Sequence, residues 1–336
     1  MPVTTINGVE IQYEVLGSGG PWVALTPGGR LGNDDVRSLA TRVATGGYRV
    51  LIHDRRNCGA SEVSMAGDGA EHEIWAADLY ALLQKLDALP AVIGGGSSGC
   101  RLSIEFALRY PQAVSGLLLW RVTGGAFAVQ RLREKYYGEY IRAANNGGMA
   151  AVCATPHFRE RIAARPANKQ ALLNMDATQF IAAMTAWDEQ FKTGADQPVI
   201  GASAEQLRSI KAPACIVPGN DNTHPQRAAA ELAQLMPNTE LRPLMGEDID
   251  IDVDPHEHWD AKEAALAAIL LDGLRQMKKE RLRNQHSRHC IRTSVLPAAA
   301  LQASGLASAP AAGRISFSGA SETRNRGLRI RKRKPA

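Results

Sequence analysis

Hydrophobic positions along the first 120 residues switch repeatedly between two periods. "VEIQYEVLG" alternates apolar and polar residues, the period of a strand with one exposed face, and "PWVALTPGG" is a continuous apolar run ending in glycines, as a buried strand does. "GYRVLIHDRR", "PAVIGGG" and "VSGLLLW" repeat the buried pattern. Between them, "HEIWAADLYALLQKL" and "RLSIEFALRYP" place apolar residues three and four apart, the helical period, and the second stops at its proline. Strand, helix, strand in succession predicts an α/β fold, a mostly parallel sheet with helices on both faces.

The rhythm breaks from about Arg121 to Ala202, where "AVQRLREKYYGEYIRAA", "HFRERIAA", "ANKQALLNM" and "ATQFIAAMTAWDEQF" read as helices with no strand between them. Strand patterns return in "APACIVPGND" and "TELRPLM", and "DAKEAALAAILLDGLRQM" closes as a helix. An all-helical insertion in an α/β body is placed as a lid over the carboxyl ends of the strands, where such sheets bind ligands. The expected organisation is core at 1–120, helical lid at 121–202, core again at 203–277 and a tail at 278–336. Tyr136, Tyr137, Tyr140, Phe158, Phe180, Trp187 and Phe191 fall at helical spacings and read as lid core.

Charge changes the picture only at the end of the chain. Residues 278–336 hold 14 Lys+Arg against 2 Asp+Glu, leaving 25 against 32 in residues 1–277, so the net +5 belongs to the tail and the body is acidic. The tail is rich in Ala, Ser, Gly and Arg without apolar periodicity, which predicts disorder. "RIRKRK" at 329–334 is the one stretch suited to a polyanion, but no folded module or aromatic platform accompanies it, which argues against a nucleic-acid partner. Five widely spaced cysteines without a CxxC, an N-terminus without an export pattern and the lack of long apolar runs point to a cytoplasmic protein with no membrane association.

Candidate chemistry centres on "VIGGGSSGCRLSIEFALRYP". Gly94, Gly96 and Gly99 satisfy G-x-G-x-x-G, but the following strand "LLLWRVTGG" lacks the acidic residue that would hold a ribose, and Cys100-Arg101 stand where a Walker loop needs Lys-Ser/Thr. Gly95-Gly96-Ser97-Ser98-Gly99 fits G-x-S-x-G between a buried strand and a helix, the nucleophile elbow. Ser97 is the candidate, because two residues beyond Ser98 lies Cys100 where a glycine is needed. Cys100 has no adjacent cation and reads as packing.

These motifs resemble the α/β-hydrolase family over residues 1 to about 277. "GYRVLIHDRRNCGASE" is similar to its D-x-R-G-x-G-x-S loop, "IGGGSSGCRLSIEFALRYP" to its V-G-H-S-M-G-G elbow, and "APACIVPGNDNTHP" to the strand that delivers a triad acid. Two departures stand out: Gly96 replaces the usual histidine, and Asn57-Cys58-Gly59 replaces Gly-x-Gly. The resemblance implies an α/β-hydrolase fold with a helical lid and a serine nucleophile, which excludes the aspartate-bearing dehalogenase and epoxide hydrolase branches. It further implies a catalytic triad of Ser97, Asp221 and a histidine between the last strand and the final helix, where His258 fits best and His256 is the alternative base. His224 could contribute but reads as a loop residue, and Asp221 could instead be a turn residue capping the next helix. The Gly29 and Ser98 amides are the expected oxyanion donors, with Gly28 permitting the approach. Arg30 is a candidate anchor for a substrate carboxylate or else a solvated loop residue, with the balance towards solvated, and Trp120 is a candidate substrate contact.

No cofactor is expected. Asp248, Asp250, Asp252 and Asp254 alternate with apolar residues but lack the Gly and Glu of an EF-hand, and His256-x-His258-x-Asp260 is followed by Ala261 where a further metal ligand would be needed, so no metal is expected. The expected activity is that of an esterase-like serine hydrolase acting on an ester, lactone or similar small carbonyl substrate through an acyl-enzyme. A non-catalytic small-molecule binder of the same fold is the alternative.

Overall fold

The computed structural model describes the backbone of residues 1–294 and the side chains of residues 1–283. Eight strands form one sheet: β1 (Val3–Ile6), β2 (Val9–Leu16), β3 (Trp22–Thr26), β4 (Arg49–His53), β5 (Ala91–Gly96), β6 (Val114–Trp120), β7 (Ala214–Val217) and β8 (Thr239–Leu241). Their order is β1-β2-β4-β3-β5-β6-β7-β8. β1 pairs with β2 and β2 with β4 antiparallel, and every pairing from β4 through β3 to β8 is parallel. The continuous apolar runs of β3, β4 and β5 have this origin, since a parallel strand with helices on both faces exposes neither.

Among the described residues the helices are α1 (Asp34–Thr45), α2 (Glu71–Lys85), α3 (Ser98–Arg109), α4 (Ala126–Arg133), α5 (Glu139–Ala154), α6 (Pro156–Ala164), α7 (Ala167–Leu173), α8 (Ala177–Lys192), α9 (Ala204–Ser209), α10 (Gln226–Leu235), α11 (His256–Asp260) and α12 (Glu263–Ser294). Two apolar layers flank the sheet. Leu79, Leu83, Leu102 and Phe106 from α2 and α3 cover one face, while Val36, Leu39, Leu270 and Leu274 from α1 and α12 cover the other. A third cluster is distinct from them: Tyr136, Tyr137, Tyr140, Phe158, Phe180, Trp187 and Phe191, contributed by the helices after β6 and the π-helical turn Glu134–Gly138, pack on one another and on Ile74 of α2. All seven aromatics expected to be core in the insertion are buried there.

α12 continues to Ser294, past the residue at which the sequence pattern ends the folded body. "KKERLRNQHSRH" contains no Gly or Pro and is dominated by good helix formers, so a helix already stabilised by packing at Leu270 and Leu274 propagates into it. Residues 295–336, with the "RIRKRK" stretch, lie outside the described residues. No described helix is long and apolar enough to cross a membrane.

The register carries the consequence for the site. Gly96 lies opposite Trp120, and Trp120 opposite Val217. The carboxyl ends of β5, β6 and β7 are therefore level, and the three loops that leave them emerge on the same edge of the sheet.

Candidate active site

Ser97 comes immediately after β5 and precedes α3, and its backbone stands at φ +54°, ψ −112°, a region that L residues rarely occupy. Its N–H is bonded to the Trp120 carbonyl (3.1 Å) and its carbonyl accepts from Arg101 N–H (3.2 Å), so the corner is tied to β6 and to the first turn of α3. A Cβ on Gly95 would collide with the backbone of Gly99, and one on Gly99 with the Thr26 carbonyl. The departure at Gly96 also has a steric cause, because the Trp120 indole occupies the space that a side chain there would need. Trp120 is buried beneath the elbow and also borders a small cavity of about 70 Å³ behind Ser97.

The hydroxyl of Ser97 meets His224, with Oγ to Nε2 at 2.8 Å. His224 Nδ1 in turn lies 2.9 and 3.1 Å from the two carboxylate oxygens of Asp221. Thr123 Oγ1 is a second neighbour of the Ser97 hydroxyl, at 3.3 Å. Asp221 also accepts the N–H groups of Thr223 (2.9 Å), His224 (2.8 Å) and Asp254 (2.8 Å). Burial alone would raise its pKa, but the hydrogen bond and charge of His224, with these amides, hold it at about 2. His224 is shifted downward: burial disfavours the imidazolium and Arg121 opposes it, against the pull of Asp221. The imidazole is thus a neutral base at neutral pH with its Nδ1 proton directed to a carboxylate.

The histidine on Ser97 is not the one expected from sequence. His258 sits on α11 with its side chain 61% exposed and Nδ1 bonded to Asp254 Oδ1 (2.7 Å), and it is absent from the cavity over Ser97. His256 borders that cavity but is 57% exposed, its Nδ1 3.8 Å from Asp35. The physical reason lies in the acidic stretch before α11. Asp250 Oδ1 accepts from Asn222, Asp248 Oδ1 from the N–H of Gln226 at the start of α10, and the Asp252 carbonyl from the Thr223 hydroxyl. These bonds clamp the loop after β8 onto the loop after β7, which holds His224, so the alternating aspartates are used as loop fasteners. Among the described residues no cluster of metal-ligating side chains forms.

Of the two amides expected from sequence to receive an oxyanion, that of Ser98 directly follows Ser97 and that of Gly29 belongs to a residue bordering the same cavity. Ser98 is the first residue of α3, where N–H groups lack an intrahelical acceptor. In a trans peptide the N–H opposes the preceding carbonyl. The Gly28 carbonyl is held by Leu31 N–H (3.2 Å) and Arg55 Nη2 (3.3 Å), which turns the Gly29 N–H away from them. Gly28 itself packs against Ser97, a Cβ there coming within 3.4 Å of the serine Cβ. Sequence reasoning passes over Arg55. It is buried, stacks on Trp75, and donates to Ser98 Oγ (2.7 Å) and the Gly29 carbonyl (2.9 Å), with Ser98 Oγ donating to the same carbonyl (2.6 Å). Its signal is its place as the second residue of "DRRNCG", directly after the buried strand. The neighbouring departure, Asn57, takes φ +66° and compensates by bonding both backbone groups of Ser64 through its side-chain amide.

Arg30 is not solvated. It is 6% exposed, paired with Glu71 at 2.7 Å and enclosed by the rings of Tyr136, Tyr137 and Tyr140. The cavity above Ser97 measures about 350 Å³ and is bordered by Gly28, Gly29 and Arg30, by His224 and Arg121, and by Tyr136, Tyr140 and His157 of the helical insertion. Cys100 is buried, its thiol pushed up to about 12 by burial, and takes no part in the site.

A strained serine between β5 and α3, reached by a histidine and an aspartate from the edge of a β1-β2-β4-β3-β5-β6-β7-β8 sheet, agrees with a family-model match described as alpha/beta hydrolase fold over residues 22–255. The chain belongs to the alpha/beta hydrolase fold family. Among curated relatives it is similar to a putative non-heme chloroperoxidase of Synechocystis, 36% identical over 104 residues, which is 30% of this chain and 37% of that protein. It is also similar to a bifunctional esterase/perhydrolase of Acinetobacter calcoaceticus, 33% identical over 110 residues, 32% of this chain and 39% of that protein. The chain thus aligns with well under half of these relatives' length. The fold agrees over a longer span with a thermophilic esterase from Thermogutta terrifontis at a TM-score of 0.54, with 20% identity, 81% of this chain and 97% of that one. Against the family arrangement that the sequence resemblance implies, this hydrolase-fold chain carries its site histidine three residues after the aspartate.

Proposed function

We propose that this protein is a serine hydrolase that cleaves an ester or lactone through an acyl-enzyme. The observation that carries the reading is the continuous contact from Ser97 Oγ to His224 Nε2 and from His224 Nδ1 to Asp221. In the reaction, His224 takes the Ser97 proton as Oγ attacks the substrate carbonyl carbon. The Gly29 and Ser98 amides receive the negative charge on the carbonyl oxygen, and the imidazolium returns its proton to the leaving alkoxide as the C–O bond breaks. Water then repeats the sequence on the acyl-enzyme, with His224 as base, and releases the acid. Asp221 stays ionised throughout, fixes the imidazole tautomer and stabilises its charged form.

Support for a carbonyl ester comes from the esterase/perhydrolase name of one relative, and support for a small substrate from the cavity of about 350 Å³. The helical insertion acts in this reading as the cap that supplies the far wall. The non-catalytic alternative draws on the lack of an evident base, and His224 at hydrogen-bond distance weighs against it. The test is pre-steady-state hydrolysis of p-nitrophenyl acetate: a burst of nitrophenolate with acetyl mass on Ser97, both lost in Ser97→Ala, is the expected result. Steady release with no burst and no serine adduct in either protein would overturn the reading.

A further inference from the structure

Besides His224 and the exposed His256, the cavity over Ser97 is bordered by a third histidine for which the acyl transfer has no use. His157 lies on α6 and borders the same space as Ser97 and His224. Its Nε2 is 3.1 Å from the backbone oxygen of Asn57. A carbonyl oxygen only accepts, so Nε2 carries the hydrogen, and in a neutral imidazole Nδ1 is then a bare acceptor. Burial, and after it the charges of Arg30 and Arg161, push the ring's basicity well below the usual histidine range, against the opposing bond to Asn57. The tautomer is set by rigid backbone, because Asn57 is itself fixed by its two bonds to Ser64. Among the described residues no donor reaches Nδ1.

Tyr140 stands beside it, the two ring centres 5.7 Å apart and inclined by 40°. Burial foremost raises the Tyr140 phenol to about 12, so it keeps its proton at neutral pH, and its oxygen has no hydrogen-bond partner among the described residues either. Two residues that border the cavity, with ring centres 5.7 Å apart, thus bring it an unpaired acceptor and an unpaired hydroxyl. A carboxylate there would face the imidazole lone pair and an ammonium the Arg30 guanidinium, while Lys135, Glu139 and Glu160, of opposing sign, also border the cavity and favour neither charge. A neutral hydroxyl meets neither objection, since it can donate to Nδ1 and accept from the phenol.

We propose that His157 is a specificity-determining residue whose Nδ1 accepts a hydrogen bond from a hydroxyl on the substrate, with the Tyr140 phenol as the second partner of that hydroxyl. The ester or lactone that the cavity takes then carries a free hydroxyl away from its scissile bond. This inference rests on the reading of the cavity as the substrate site of a Ser97 hydrolase.

The experiment measures binding, so that it does not depend on turnover. Full-length Ser97→Ala protein is titrated calorimetrically with ethyl hexanoate and with each of its positional monohydroxy derivatives. The best hydroxylated ester is expected to bind about tenfold or more tighter than its parent, the scale of one net hydrogen bond to a desolvated group. His157→Phe in the same background keeps a ring against Tyr140 and Phe158 and removes the ring lone pair without supplying another acceptor, and the preference is expected to fall to within about threefold. Tyr140→Phe, which keeps the ring contacts to Phe158 and His157, provides the second arm and is expected to lower the preference by a smaller factor. Absence of any preference for a hydroxylated ester, or a preference untouched by both variants, overturns the proposal. Labelling of the wild-type protein by a fluorophosphonate judges the hydrolase reading separately: a labelled Ser97 with no hydroxyl preference sinks only the role of His157, and a hydroxyl preference without labelling sinks only the hydrolase.

Discussion

Two Asp–His pairs of nearly equal local geometry lie beyond the last two strands. Asp221 and His224 are joined at 2.9 Å after β7, and Asp254 and His258 at 2.7 Å after β8. Both aspartates are buried, yet the His224 side chain is 4% exposed and that of His258 61%. The difference lies in what the second ring nitrogen meets. Nε2 of His224 reaches Ser97, because β7 ends level with β5 and only β6 intervenes, a gap of about 10 Å at the usual strand spacing. The loop after β8 starts one strand farther out and is spent on fastening its neighbour. An Asp–His pair becomes a base only where a third group is in reach, and the backbone N–H of Asp254 serves the first pair by bonding Asp221.

The comparison breaks most sharply by removing each histidine in turn. His224→Ala is expected to lower kcat/KM for an activated ester by about 10³- to 10⁴-fold, whereas His258→Ala should leave it within about twofold. Asp221→Asn tests the pair as a unit: the imidazole loses its orienting carboxylate, and a fall in kcat of about 10³-fold is expected with little change in KM. Arg55→Met removes the guanidinium that holds Ser98 Oγ and the carbonyls of Gly28 and Gly29, and a fall of about 10- to 100-fold in kcat is expected because the oxyanion amides lose their support. An equal loss in kcat and gain in KM from that variant would instead mark Arg55 as shaping the cavity.

The smallest effects are those of pH. His224 has a lowered pKa, so the acid limb of the kcat/KM profile should lie below 6.5; a limb at or above 6.5 would contradict the burial of the base. Stability should move with the same sign. His53 and His72 are held at about 3, chiefly by burial, and His157 and His224 are also lowered, so the unfolded chain binds more protons than the folded one as pH falls below 6.5. Their contribution is complete above 6.5 and is lost progressively towards pH 3. Glu105, raised to about 7 by burial, opposes them, as do Asp35 and Asp54, which burial also raises, and the histidines prevail by number. Denaturant midpoints should therefore drop between pH 6.5 and 4.5, and a midpoint that rises over this interval would contradict the assignment of neutral buried imidazoles.

The corner that carries Ser97 is legible in the sequence and the histidine that meets its hydroxyl is not, for reasons of range. The constraint on Ser97 is local: a strand, a corner and a helix within ten residues, with Gly95 and Gly99 forced by contacts to each other and to Thr26. Asp221 is legible for the same reason, as an acid directly after a buried strand. The choice between His224 and His258 depends instead on strand register across the sheet and on Asp248, Asp250 and Asp252 bonding to residues more than twenty positions away, none of which has a sequence period. The family pattern that the resemblance implies puts the base between the last strand and the final helix, whereas the histidine in contact with Ser97 here follows β7. Arg30 is misread from sequence because its solvation is decided by Glu71 and by tyrosines more than a hundred residues later. The fold itself is legible where hydrophobic periods are strong, and the extent of α12 is missed because a polar run of good helix formers looks the same in a tail as in a helix.

Labelling kinetics test the central claim most directly. A fluorophosphonate is reacted with the wild-type protein, His224→Ala and His258→Ala, and the adduct is monitored by intact mass and located by peptide mapping. A single adduct on Ser97 that forms at the same rate in wild type and His258→Ala, and at least about 10³-fold more slowly in His224→Ala, is the result this account predicts. Equal rates in wild type and His224→Ala, or a loss of labelling confined to His258→Ala, would contradict it.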